Sequence, residues 1–82
     1  MLKSKQAWVL AQCCELIDKR IAKENVPEPY AKTFANTWLE GAISVAVLIG
    51  KRDLAQLMCE MTGALQSDVS WASFRQKNKM TR

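Results

Sequence analysis

The sequence has no histidine and only three cysteines and three glycines. Histidine is the commonest general base and a frequent metal ligand, so its absence removes the usual basis for catalysis. The three cysteines, Cys13, Cys14 and Cys59, contain no C-x-x-C spacing, which argues against a zinc or redox site. The three glycines are too scattered for a phosphate-binding loop. These absences predict a protein that is not an enzyme and that holds no metal or cofactor.

Long apolar runs are also missing. The most apolar stretch runs from Ala42 to Ile49, which is far short of the about 20 residues that a membrane-spanning helix needs. A basic-then-apolar secretory signal is absent as well, and an odd number of cysteines in such a chain is typical of reduced thiols. We therefore expect a cytoplasmic protein without a membrane segment.

The chain is short but rich in apolar residues, with 49% of its 82 residues in this class. Such a length allows one domain, and a small domain buries only about 60% of the surface that its unfolded chain exposes. A monomeric core of this size is marginal. Self-association is the usual way for such a chain to gain burial, so we expect a homodimer.

Residues 4–24 have the apolar period of a helix. One face carries Ala7, Leu10, Cys14, Ile17 and Ile21, at alternating spacings of three and four. Trp8, Val9 and Cys13 widen this face beyond one narrow seam. We therefore expect the first helix to contact more than one neighbour.

A second helix is expected from Pro29 to Ile49, after the two prolines of NVPEPY interrupt the first one, with Gly50 as the residue that ends it. Residues 42–49 alone also fit a short buried strand, paired with its own copy across a dimer. The helix is favoured because the rest of the chain offers no second strand-like run. Since residues 42–49 are apolar nearly all round, we expect this half of the helix to be central, covered by other helices or by a second subunit. A homodimer would bury either this region or the seam of the first helix.

A third helix is expected from Asp53, as its N-cap, with Gln56 completing a capping box. A short fourth helix is expected within DVSWASFRQ. Residues 1–74 then form a single helical domain and residues 75–82 a mobile basic tail. The predicted fold class is all-α, with three main helices and a short fourth in a small bundle.

The net charge is +4, and the positive excess lies at the ends of the chain, chiefly in the tail. A basic arm of this kind contacts nucleic-acid phosphates, although it also serves simply to keep a protein soluble. Trp8 and Trp38 are interpreted as core aromatics rather than as base-stacking residues. The candidate nucleic-acid contacts are Lys51, Arg52, Arg75, Lys77, Lys79 and Arg82.

Residues 51–76 carry a resemblance to a DNA-binding unit. RDLAQLM resembles the first helix of phage-repressor-type helix-turn-helix units, and VSWASFR is similar to a recognition helix. Glu60 stands where that family has an apolar residue, and the connection from Met61 to Asp68 is longer than its tight turn. We favour an ordinary bundle and keep a degenerate helix-turn-helix, in a small DNA- or RNA-binding protein, as the alternative.

A candidate protein interface lies near the C-terminus. Trp71 and Phe74 share one face of the expected last helix, and Met58 and Met61 lie on the helix before it. We expect these four residues to form an exposed apolar patch, which on a small protein tends to be a partner site. With catalytic groups, metal sites and membrane segments eliminated, the sequence predicts a small non-enzymatic accessory protein that binds and modulates a larger protein. In size and style it is similar to bacterial accessory proteins encoded by phages or plasmids.

Overall fold

The chain folds into helices joined by short turns. The computed structural model describes the backbone of residues 4–78 and the side chains of residues 6–78. The helices are α1 (Ser4–Glu24), α2 (Glu28–Leu48), α3 (Arg52–Gln66) and α4 (Trp71–Lys77). This stretch contains no strand. The all-α prediction, with three main helices and a short fourth, is confirmed, and the strand interpretation of residues 42–49 is wrong.

The turn between α1 and α2 ends the first helix in a Schellman motif. Asn25 has a positive φ of 53°, and the Val26 N–H donates to the carbonyl of Ile21 at 3.0 Å. Pro27 then caps α2 in an extended conformation, so the helix begins at Glu28, one residue before the expected Pro29. Proline suits the positions of Pro27 and Pro29, because backbone N–H groups at the start of a helix have no carbonyl partner within the helix.

The turn between α2 and α3 repeats this motif. Gly50 has a φ of 79°, a conformation that glycine adopts without strain, and the Lys51 N–H donates to the carbonyl of Ala46 at 2.8 Å. The expected end of α2 is thus confirmed. Asp53 does not cap α3, because the chain re-enters a helix directly after this turn, with Lys51 as the N-cap. Gln56, the expected partner of Asp53, instead donates to Glu60 at 3.3 Å.

The last helix, α4, spans the boundary that the sequence predicts between a helical domain, residues 1–74, and a mobile tail, residues 75–82. Ser70 is its N-cap and accepts a hydrogen bond from the Ser73 N–H at 3.0 Å. Arg75 and Lys77 belong to α4, so the helical part continues past residue 74. Residues 79–82 of the expected tail lie outside the described residues.

The core lies where α2 and α3 pack on each other and on the two remaining helices. From α2 it receives Ala31, Ala35 and Leu39, each at most 1% exposed. The small alanines allow α3 to approach closely. The other helices contribute Cys13, Cys14, Ile17, Ala55, Met58, Met61, Leu65, Trp71 and Phe74. Much of the inward surface of α2 is therefore made of small side chains.

The second half of α2 is not buried as the sequence analysis predicts. Within residues 42–49, Ala46 is buried at 2% exposure, whereas Val45, Leu48 and Ile49 are 56%, 84% and 63% exposed. The other helices cover this half of α2 on the side of Ile43 and Ala46, whereas Val45, Leu48 and Ile49 point outward. The prediction that helices of this chain cover the region is wrong. Coverage by a second subunit stays a prediction.

Polar side chains join the helices at the end of the bundle where α2 begins. Lys32 Nζ donates to the backbone carbonyls of Gln66, at 3.2 Å, and Asp68, at 2.6 Å. The side chain of Gln66 donates to Asn36 at 3.3 Å. A lysine in this place satisfies carbonyl groups that the end of a helix leaves without partners. These bonds fix the connection between α3 and α4 against α2.

Candidate interaction surface

An open apolar groove runs between the first half of α1 and the second half of α2, with a volume of about 360 Å³. We call it the α1/α2 groove. Gln12 is its most polar lining residue, and the lining contains no charged side chain. The lining residues are Trp8, Val9, Gln12, Cys13 and Leu16 of α1, Ala42, Val45 and Ala46 of α2 with its C-cap Ile49, and Leu54 and Met58 of α3.

Large apolar side chains of the groove are exposed to an unusual extent. The exposed fractions of Trp8, Leu16, Val45 and Ile49 are 63%, 47%, 56% and 63%. Contiguous apolar surface on a small protein marks an interaction site or an aggregation hazard. The interpretation of Trp8 as a core aromatic is wrong, whereas Trp38 is half-buried and packs against the core.

The sequence of α1 explains why the groove exists. One apolar strip, with Cys14 and Ile17 fully buried, packs into the core. A second strip, displaced around the helix, carries Trp8, Val9 and Leu16 and faces the groove. The wide apolar face of this helix predicts more than one neighbour, and this prediction is confirmed because α1 contacts α2, α3 and α4. Trp8 and Leu16 of the second strip stay largely exposed.

Charged residues flank the exposed half of α2. Residues 41–50 carry no charge; Glu40 precedes them, and Lys51 and Arg52 follow. All three charged residues are exposed. Glu40 accepts a hydrogen bond from Asn36 at 3.3 Å. Neither of the two cations forms an ion pair with any residue that the structure describes.

The four residues expected to form an exposed interface belong to the core instead. Met58, Met61, Trp71 and Phe74 are 4%, 6%, 4% and 1% exposed. Trp71 Nε1 donates to Asp18 Oδ1 at 2.7 Å, which gives this buried N–H the partner it needs. The two aromatic rings stack with their centroids 5.6 Å apart. The prediction of an exposed patch at these positions is wrong, because α4 turns both rings inward.

Two of the candidate nucleic-acid residues are held by carboxylates. Arg75 Nε donates to Asp18 Oδ2 at 2.7 Å, and Lys77 Nζ lies 3.3 Å from Asp68 Oδ2. Hydrogen bonds from Ser73 and the Val69 N–H, together with the lysine, hold the pKa of Asp68 below its usual value. Both cations of α4 are thus partly neutralised within the chain.

Of the four remaining candidates, two belong to the part of the chain that the structure describes. Lys51 and Arg52 lie exposed at the start of α3, and Lys79 and Arg82 lie outside the described residues. α4 is seven residues long and buries both of its aromatic rings. Little of it remains to enter a groove of DNA, which a recognition helix must do.

Two of the three cysteines are buried and behave as apolar residues of the core. Burial raises the pKa of both Cys13 and Cys14, the latter to about 11, so these thiols stay protonated at neutral pH. Cys59 is exposed. Among the described residues, no three His, Cys, Asp or Glu side chains are arranged to hold a metal ion.

The sequence analysis does not predict the α1/α2 groove, although the wide apolar face of α1 is a signal that could have indicated it.

No helix within residues 4–78 combines the length and apolar character that crossing a bilayer requires. Comparisons of the chain with protein-family models, curated proteins and solved structures give no significant match.

Proposed function

We propose that this chain is a small non-enzymatic accessory protein that binds a larger protein and modulates it, and that the α1/α2 groove is its binding surface. The observation that carries the proposal is the uncharged lining of the groove, with large side chains such as Trp8 and Ile49 mostly exposed. Removing such surface from water is favourable in proportion to its area. A protein partner offers the matching apolar surface.

The occupant that fits this groove is an amphipathic helix of the partner. Two helices form the walls, and the wall from Ala42 to Ile49 is about 12 Å long at 1.5 Å per residue. Two to three turns of a third helix match this length. Helices that dock in such grooves present apolar anchors at positions i, i+3 or i+4, and i+7.

Trp8 is the main anchor on this side of the interface. Its side chain is 63% exposed, and tryptophan is enriched among residues that dominate binding energies, with truncation costs of about 2 kcal/mol or more. Leu16 and Val45 surround the site with further apolar surface. Their role is to exclude water from the anchor.

Two cations beside the groove predict an acidic residue at one end of the partner helix. Lys51 and Arg52 are exposed, with no ion pair to any described residue. An acidic residue on the partner would complement them. Charges at the rim of an interface mainly orient the partner and raise its association rate.

Nucleic-acid binding stays the alternative and has less support. Arg75 and Lys77 lie beside carboxylates of the same chain, which reduces the charge that they offer to phosphates. The two functions differ in salt dependence, because binding through several phosphate contacts weakens steeply with salt. An apolar interface changes little.

The test compares two glutamate substitutions, one within α2 and one at its C-cap. Ile49→Glu places a carboxylate in the α1/α2 groove, whereas Thr37→Glu makes the same charge change at an exposed position outside its lining. The tagged full chain captures candidate proteins from a nuclease-treated lysate. Each candidate is then purified, and its Kd is measured by calorimetry against the wild type and both variants, with its own activity followed in parallel.

We expect Ile49→Glu to weaken binding by at least about 100-fold, because an unpaired carboxylate buried in an interface costs several kcal/mol. Thr37→Glu should leave the Kd nearly unchanged. Equal affinities for wild type and Ile49→Glu would remove the groove from the proposal. Binding that disappears with nuclease, or falls steeply with salt, would favour the nucleic-acid alternative.

A further inference from the structure

The large apolar residues of this chain are distributed unusually. Among the described residues, six of the thirteen buried apolar positions are Ala or Cys, while Leu48 is 84% exposed and Val45 and Ile49 are more than half exposed. Val45, Leu48 and the C-cap residue Ile49 are spaced as i, i+3 and i+4 at the end of α2. That is the anchor pattern of a helix that docks into a groove. Leu48 does not line the groove of its own chain.

The same chain therefore carries a groove and a helix of the kind that fills one. We infer that a second copy covers the α1/α2 groove, with the exposed halves of α2 packed antiparallel across a two-fold axis. Such an interface is self-complementary, because each copy supplies a groove to the other and receives a helix from it. This inference rests on the proposed function, since it names what occupies the same groove when the partner is absent.

The charges at the ends of the segment select the antiparallel direction. An antiparallel pairing brings the end of the segment that carries Glu40 in one copy to the end that carries Lys51 in the other. Arg52 follows directly and adds to the positive end. A parallel pairing would instead oppose like charges at both ends. The uncharged residues 41–50 fill the space between the two ion pairs.

The arrangement also regulates access to the groove. Dimer formation and partner binding use the same surface, so they exclude each other. The helix that displaces the second copy then resembles residues 40–52 of this chain, with an acidic residue before its apolar anchors. Dilution or a partner of higher affinity opens the groove.

The test uses charge reversal and sedimentation velocity of the full chain at low ionic strength, over a range of concentrations. Glu40→Lys alone, and Lys51→Glu with Arg52→Glu, should each weaken the dimer about tenfold, because each breaks two symmetry-related rim ion pairs. The triple variant should restore wild-type association. Leu48→Asn should give a monomer, and far-UV circular dichroism checks that every variant is folded.

A wild type that stays monomeric at the highest concentration would overturn the inference, as would a triple variant no better than the separate reversals. Neither result affects the proposed function if Ile49→Glu still abolishes binding of a purified partner. Conversely, charge-swap rescue with no protein bound in the groove would support the dimer and remove the larger partner.

Discussion

Two leucines on α2 provide the sharpest test of which side of this helix is buried. Leu39 is 0% exposed and Leu48 is 84% exposed, and both can be changed to alanine without altering charge. Leu39→Ala leaves a cavity in the core and should cost roughly 2–5 kcal/mol. A chain of this length has a total unfolding free energy of about 4–12 kcal/mol, so this variant should lose a large part of its stability.

For Leu48→Ala the expected cost within one chain is much smaller. Full burial of a leucine contributes roughly 1.5–3 kcal/mol, and the buried sixth of Leu48 accounts for at most about 0.5 kcal/mol of this. Alanine also has the higher helix propensity. The monomer should therefore tolerate this change almost without loss.

The measurement is urea unfolding followed by far-UV circular dichroism, first at a concentration where the chain is monomeric and then at a high one. At low concentration, each kcal/mol should also lower the Tm by about 4–8 °C. A loss above about 1 kcal/mol for Leu48→Ala in the dilute monomer would refute the exposed position of this residue. A loss that develops only at high concentration would come from the dimer.

Two further predictions concern the remaining contacts. Asp18→Asn should destabilise the fold by about 1–2 kcal/mol in the same assay, because the neutral amide weakens the charged hydrogen bond that holds α4, even after discounting for partial exposure; an unchanged unfolding midpoint would contradict this role. In the native protein at pH 8, an aromatic disulfide reagent should modify Cys59 rapidly, while Cys14, with a pKa of about 11, should react only after denaturation; rapid reaction of all thiols would show that α1 is not packed as described.

Local chemistry made the helix boundaries predictable. The apolar period of α1 predicts the same residues 4–24 that the structure shows. Gly50 predicts the end of α2, because a Schellman turn needs a residue that adopts positive φ. The predicted N-cap of α3 is wrong by two residues, since Asp53 is a good cap by type but the preceding turn already ends at Lys51.

The choice of the buried faces could not be read from the sequence. α2 is apolar nearly all round from Ala42 to Ile49, so no local pattern tells whether its alanines or its larger residues face the core. The inward position of Trp71 depends on Asp18, which lies 53 residues earlier. Such a contact is formed by the packing of α4 on α1, and single-sequence patterns carry no signal for it.

The polar bonds of Lys32, Asn36 and Asp18 all lie toward one end of the bundle, and the α1/α2 groove lies toward the other. Segments held mainly by a few apolar contacts unfold locally at a lower free-energy cost than segments held by many hydrogen bonds. We therefore expect the first turns of α1, before Cys13, to open more readily than the segments held by these bonds.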